Sequence, residues 1–200
     1  GNPYVFVEGG TIGTSTEAGA SVYGGCNITG EGTGNTNVTL VGGTIGESET
    51  NTANIHGGGY GQPTNVTCNV LVNFGAIAFD DLSGEEIQED YPMLYGELYG
   101  GSAFGNVNTN ASNSTIVNLL NGTINGAAYG GGLGDKASQG TGHSNVEAKV
   151  YGVVHVNVGN ATDPDNIDTY SGMATLIDCD IYGCNNLNGS PLDNVYVDVY

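Results

Sequence analysis

The 200-residue chain has no Arg and no Trp, and only two Lys, Lys136 and Lys149, set against 21 Asp and Glu, for a formal charge of −19. A chain so short of cations cannot neutralise a phosphate backbone, so nucleic-acid binding is excluded. No apolar run approaches the roughly 18 residues that a transmembrane helix needs. Cysteine is sparse, and Cys26, Cys68, Cys179 and Cys184 form no Cys-x-x-Cys pair, which argues against zinc. Buried free thiols are expected, with a Cys179–Cys184 disulfide as the alternative. The run Gly130-Gly131-Gly132-Leu133-Gly134-Asp135 lacks the Gly-Lys-Ser/Thr ending of a phosphate loop. It also occurs once only, so it is not the Gly-Gly-x-Gly-x-Asp calcium repeat.

What the chain does have is 36 Gly, 24 Asn and 12 Tyr, with 38% hydrophobic residues spread through short Val/Ile/Leu-containing runs, a pattern of order rather than disorder. It opens without an initiator Met or a signal peptide, and both ends, around Tyr4–Val7 and Asn194–Tyr200, are strand-like. A piece of a longer chain is expected.

Two units recur. The first is an apolar residue, an aromatic residue and glycine: Val22-Tyr23-Gly24-Gly25, Leu98-Tyr99-Gly100-Gly101 and Ala128-Tyr129-Gly130-Gly131, with looser copies at Ile55-His56-Gly57-Gly58 and Ile181-Tyr182-Gly183-Cys184. The second is a strand ending in Gly-Thr-Ile or Gly-Ala-Ile, with copies that end at Ile12, Ile45, Ile77 and Ile124. Strand side chains alternate between faces. Val5/Val7, Val38/Leu40, Val70/Val72 and Val117/Leu119 therefore share an inward parity. By the same rule Val22, Ile55, Leu98, Ala128 and Ile181 point inward, and Tyr23, His56, Tyr99, Tyr129 and Tyr182 form an exposed outward column.

A repeat of about 30–33 residues, built of short strands with Gly and Asn at corners that require positive φ, predicts an all-β fold, a right-handed parallel β-solenoid. One such segment is expected to span residues 1–200, with insertions near 79–93 and 133–174. The Tyr-Gly-Gly and Gly-Gly-Thr-Ile units resemble the repeats of large adhesin-like β-helix surface proteins, and the Gly-Gly-Thr-Ile element is similar to that of polymorphic outer-membrane autotransporters. The resemblance implies an extracellular, cell-surface module for attachment or display.

The first insertion carries the acidic stretch Phe79–Asp90, in which Ser83 and Glu86 have capping-box spacing for a helical turn. The second holds Asp163, Asp165 and Asp168, a candidate Ca²⁺ site because Ca²⁺ takes six to eight oxygen ligands; plain turn chemistry is the competing reading.

Three functions are in play. An adhesive or display module would use the aromatic column, Tyr23, His56, Tyr99, Tyr129 and Tyr182, against glycans or surface proteins, since Tyr offers an apolar ring with a polar tip. A structural stalk would use the same rings to stack its coils. A polysaccharide lyase or hydrolase is suggested by fold analogy alone. The lack of Arg removes a common lyase base, and Asp80/Asp81 and Asp163/Asp165 are the candidate carboxylate pairs for a hydrolase.

Overall fold

The computed structural model describes residues 1–13, 20–75, 91–110, 112–159 and 179–200. The first circuit of the chain contains β1 (Tyr4–Val7), β2 (Thr11–Ile12), β3 (Val22–Tyr23) and β4 (Gly30–Gly32). The second contains β5 (Thr36–Leu40), β6 (Thr44–Ile45), β7 (Ile55–His56) and β8 (Thr64–Val66), and the third β9 (Val70–Phe74), β10 (Met93–Leu94), β11 (Leu98–Tyr99) and β12 (Asn106–Val107). Then come β13 (Ser114–Leu119), β14 (Thr123–Ile124), β15 (Ala127–Tyr129), a 3-10 turn at Ala137–Gln139, β16 (Val153–Val158), β17 (Asp180–Tyr182) and β18 (Val195–Val199). Like strands of successive circuits pair in parallel. They form four stacked sheets: β1-β5-β9-β13-β16-β18, β14-β10-β6-β2, β17-β15-β11-β7-β3 and β12-β8-β4. The chain is all-β, with parallel strands in stacked sheets, an arrangement consistent with a β-solenoid.

The first sheet carries half of the buried apolar core. Its inward columns are Val5, Val38, Val72, Val117, Val156, Val197 and Val7, Leu40, Phe74, Leu119, Val158, Val199. Val38, Leu40, Val70, Val72, Val117 and Leu119 are all fully buried in one apolar cluster with Ile45, Ile55, Leu94 and Leu98. The inward parity is therefore as expected, but the register of β9 is not. Val70 pairs with Thr36 and Thr115, so Val72 and Phe74, not Val70 and Val72, are the counterparts of Val38 and Leu40. A slip of two residues preserves the face, which is why alternation alone could not detect it.

Ile77, expected to continue the Ile12–Ile45–Ile124 column, lies outside the described residues. Leu94 takes that rung, pairing with both Ile45 and Ile124. The extra residues of the third circuit thus separate β9 from β10. The acidic stretch Phe79–Asp90, with its capping-box pair, also lies outside the described residues. Within the expected insertion 133–174, β16 is a full rung of the first sheet, so the additional residues there are split into two stretches. Along the Thr39, Asn73, Asn118, Asn157 column the rungs are 34, 45 and 39 residues apart.

The glycines divide by physical cause. Those preceding Thr-Ile, Gly10, Gly43 and Gly122, have φ of 83°, 82° and 106°, a conformation costly for any residue with a Cβ. The first Gly of each Tyr-Gly unit is different: Gly24, Gly57, Gly100 and Gly130 are absent from the positive-φ set. A Cβ at those positions would lie 2.8–2.9 Å from Cγ2 of Val38, Val72, Val117 and Val156 and would also strike a backbone carbonyl of the next circuit. Close approach of two sheets, not turn geometry, selects glycine there.

The outer face of the first sheet is tied by side-chain amides. Asn73 Nδ2 donates to Thr39 Oγ1 (3.0 Å), Asn118 Nδ2 to Asn73 Oδ1 (2.8 Å) and Asn157 Nδ2 to Asn118 Oδ1 (2.8 Å). The thiols are not deeply buried as expected: Cys26, Cys68 and Cys179 are half-buried and Cys184 is exposed, with no disulfide between Cys179 and Cys184.

Candidate functional site

The sheet β17-β15-β11-β7-β3 puts each aromatic residue of the Tyr-Gly repeat directly above the last. Tyr23, His56, Tyr99, Tyr129 and Tyr182 stack with centroid separations of 4.9, 4.7, 5.1 and 5.0 Å and interplanar angles of 12° or less. The preceding apolar residues point the other way, and Val22, Ile55, Leu98 and Ala128 are buried in the core. The column and its facing are thus as expected. Its uniform exposure is not: His56 is 1% and Tyr99 0% exposed, Tyr23 and Tyr129 are half-buried, and only Tyr182, at 46%, is open to solvent.

Residues of neighbouring turns pack beside the column. Tyr60 meets Tyr23 edge-on at 5.6 Å, and Phe104 continues that second row at 5.4 Å from Tyr60. From a later circuit Asn186 Nδ2 donates to the Tyr99 hydroxyl (2.9 Å) and to the Glu97 carboxylate (3.3 and 3.4 Å). The Tyr99 hydroxyl donates in turn to Glu97 Oε2.

Polar residues run alongside, two residues before four of the five aromatics, with Ala127 at the Tyr129 rung. Ser21 Oγ accepts from the Asn54 backbone N–H (2.9 Å), Asn54 Oδ1 from that of Glu97 (2.9 Å), and Asp180 accepts from the Tyr182 hydroxyl (3.2 Å). Burial, then the Glu97 hydrogen bond, hold the Tyr99 hydroxyl well above the ordinary phenol range. Burial likewise raises Tyr23 and Tyr129, whereas the charge of Asp180 is what raises Tyr182. The phenols therefore stay protonated and available as donors. Burial alone pushes His56 down to about 3, so it sits in the stack as a neutral ring. A groove of about 330 Å³ opens beside this column, lined by Asn54, Tyr95, Glu97 and Asn125.

Beside the turns that carry Tyr60 and Phe104 lie two adjoining cavities, of about 700 and 470 Å³, that share Gln62 and Phe104. Lys136 and Lys149, isolated in the sequence among Gly, Ser and Ala, both line the larger one. The smaller contains Asp135 and His143, whose Oδ1 and Nδ1 are hydrogen-bonded at 2.8 Å. The backbone N–H of Ser144, then the His143 ring, hold the Asp135 carboxyl below its usual range. Nothing in the one-dimensional pattern marks this convergence.

The candidate Ca²⁺ ligands Asp163, Asp165 and Asp168 lie outside the described residues, as do Asp80 and Asp81. Among the described residues no group of three or more His, Cys, Asp or Glu side chains is arranged to hold a metal ion, and no helix is long and apolar enough to cross a membrane. No protein-family model matches the sequence, and neither a curated protein nor a solved structure is significantly similar to it.

Proposed function

We propose that the chain is a right-handed parallel β-solenoid, with a basic repeat of about 30–33 residues lengthened by insertions, that serves outside the cell as a non-catalytic module for adhesion or structural display. The observation that carries this reading is the continuous outer ladder of rings, Tyr23, His56, Tyr99, Tyr129 and Tyr182, flanked by Ser21, Asn54, Glu97 and Asp180. Aromatic faces beside hydroxyl, amide and carboxylate groups are the surface chemistry that sugars require, because one side of a sugar ring is apolar and its rim is hydroxylated. The partners would be glycans or surface proteins; if Ca²⁺ has a role, Asp163, Asp165 and Asp168 are its candidate ligands.

The accessible rungs, Tyr129 and Tyr182, are the contact candidates, while the buried His56 and Tyr99 hold the stack together. Screening on a glycan array with Tyr129→Ala and Tyr182→Ala tests the reading. Adhesion predicts binding that each variant weakens by about 1 kcal/mol or more with little change in melting temperature. Variants that lower stability with no binding to lose would make the ladder a stalk.

A further inference from the structure

Every cation on a side chain other than histidine is gathered at one place. With a formal charge of −19, most of this surface repels anions, yet Lys136 and Lys149 line the same cavity of about 700 Å³. Lys149 Nζ pairs with Glu147 at 3.0 Å, and Lys136 makes no ion pair among the described residues. The three groups leave one positive charge to be matched. Around them are the rings of Phe104 and Tyr151 and the amides of Gln62, Asn106 and Asn145. The volume is in the range of small-ligand sites, about 300–1,000 Å³.

The two lysines are mounted on fixed backbone. Asp135 and Val146 exchange backbone hydrogen bonds (2.8 and 3.0 Å) across the loop that bears Lys136. The Asp135 carboxylate accepts from the backbone N–H groups of Lys136 and Ser144, each at 2.9 Å, and Asn145 Oδ1 accepts from that of Ala137 at 3.0 Å. Asn188 Nδ2 donates to the Asp135 carbonyl from the next circuit at 2.9 Å. Lys149 precedes Val150, which bridges Val107 on one side and Pro191 on the other.

From this convergence we propose that the cavity binds an oligosaccharide carrying a single sugar carboxylate, with Lys136 and Lys149 on the carboxylate, Phe104 and Tyr151 against sugar faces, and the amides on hydroxyls. One unmatched positive charge suits one carboxylate. A densely charged polyanion is disfavoured, because beyond a screening length of about 8 Å its further charges would meet an acidic surface. A phosphate would find no Arg fork to grip it. The proposal deepens the adhesion reading by naming a ligand class, but it stands on residues outside the aromatic column, so the two fail separately.

Calorimetric titration of the 200-residue chain with two singly charged probes, sialyllactose and a glucuronic-acid-substituted xylotriose, against neutral lactose and xylotetraose, tests it. At least one charged probe should bind in the millimolar range or tighter, at least about tenfold above its neutral counterpart, with affinity falling as salt rises. Lys136→Gln, at an exposed position, should reduce that affinity about tenfold at unchanged melting temperature, and Tyr182→Ala should leave it alone. Because the lysines and the N-terminus are the chain's only amines, acetylation mapped by mass spectrometry should show Lys136 and Lys149 protected by the bound probe. No saturable binding of either charged probe, equal binding of the neutral ones, or an affinity indifferent to Lys136→Gln would overturn the proposal.

Discussion

Replacing His56 by Phe should make the protein both more stable and less sensitive to acid. The ring is sandwiched between Tyr23 and Tyr99 at 4.9 and 4.7 Å, 1% exposed, and its Nδ1 is buried with no hydrogen-bond partner among the described residues. At neutral pH, removing that orphaned nitrogen while keeping an aromatic rung should gain about 1–3 kcal/mol. The acid effect follows from linkage. Burial lowers the folded-state pKa from 6.5 to about 3, so the unfolded chain takes up a proton as pH falls through 6.5 while the folded chain does not. The neutral ring's stability is therefore complete above pH 6.5 and is lost progressively as pH falls toward 3. At about 1.36 kcal/mol per unit, the loss is about 2 kcal/mol by pH 5 and about 3 kcal/mol by pH 4. His143, His155 and the 21 acids are common to both proteins, so their titration cancels in the comparison. Parallel urea unfolding of wild type and His56→Phe at pH 7, 6, 5 and 4, followed by circular dichroism, isolates the difference. The gap between the two should widen by about 2 kcal/mol between pH 7 and 5, equivalent to roughly 4–8 °C in melting temperature for a chain of this size. A gap that stays constant across this range would mean that His56 is not desolvated in the stack.

Gly57→Ala should be strongly destabilising, by about 3 kcal/mol or more, since the added methyl meets Val70 Cγ1 at 2.5 Å and Val72 Cγ2 at 2.8 Å; thermal melting compares it with Gly10→Ala, where the same group meets open space and only the positive φ is penalised. Asn108→Ala should cost about 2–4 kcal/mol, because this fully buried side chain donates to the Cys68 and Ser114 carbonyls (2.8 and 2.9 Å) and accepts from Thr115 Oγ1 (2.6 Å); unfolding free energies measure the loss. Val70→Asp should abolish the cooperative transition, placing an unpaired charge in the stacked core, whereas Thr39→Asp on the outer face of the same sheet should be tolerated.

How far the sequence announces these features depends on the range of the interactions behind them. Alternation is a local property, so the inward faces of β5, β9 and β13 and the opposed facing of Leu98 and Tyr99 could be read from a few residues each. Register is set by neighbours a circuit away. Val70-Leu71-Val72 followed by Phe74 offers two frames of equal parity, and the choice between them is made by how Thr36 and Thr115 flank Val70 in the sheet. The Tyr-Gly pairing is legible as a repeat, but its glycine answers to valines on the opposite sheet, which no local pattern displays. The column's side contacts are Asn186, 87 residues beyond Tyr99, which reaches its hydroxyl, and Tyr60, which lies edge-on to Tyr23. Neither partner sits at a repeat position, so no periodicity could reveal it.

The same argument explains why the lysine cavity is silent in the sequence. Composition alone makes two Lys among 21 acids look like residual charge, distributed without purpose. Stacking changes their meaning: Lys149 precedes the Val150 rung, Lys136 sits on a loop held down by Asp135, and Gln62 and Phe104 arrive from earlier circuits to complete the walls. The aromatic ladder and this cavity consequently differ in sign. Glu97 and Asp180 make the ladder suited to uncharged hydroxyls, and Lys136 gives the cavity the one unmatched positive charge available to an acidic sugar. They are joined through the edge contacts of Tyr23, Tyr60 and Phe104, at 5.6 and 5.4 Å. Discrimination between neutral and singly charged glycans by Lys136→Gln, set against loss of both by Tyr60→Ala, would separate two independent surfaces from one continuous one.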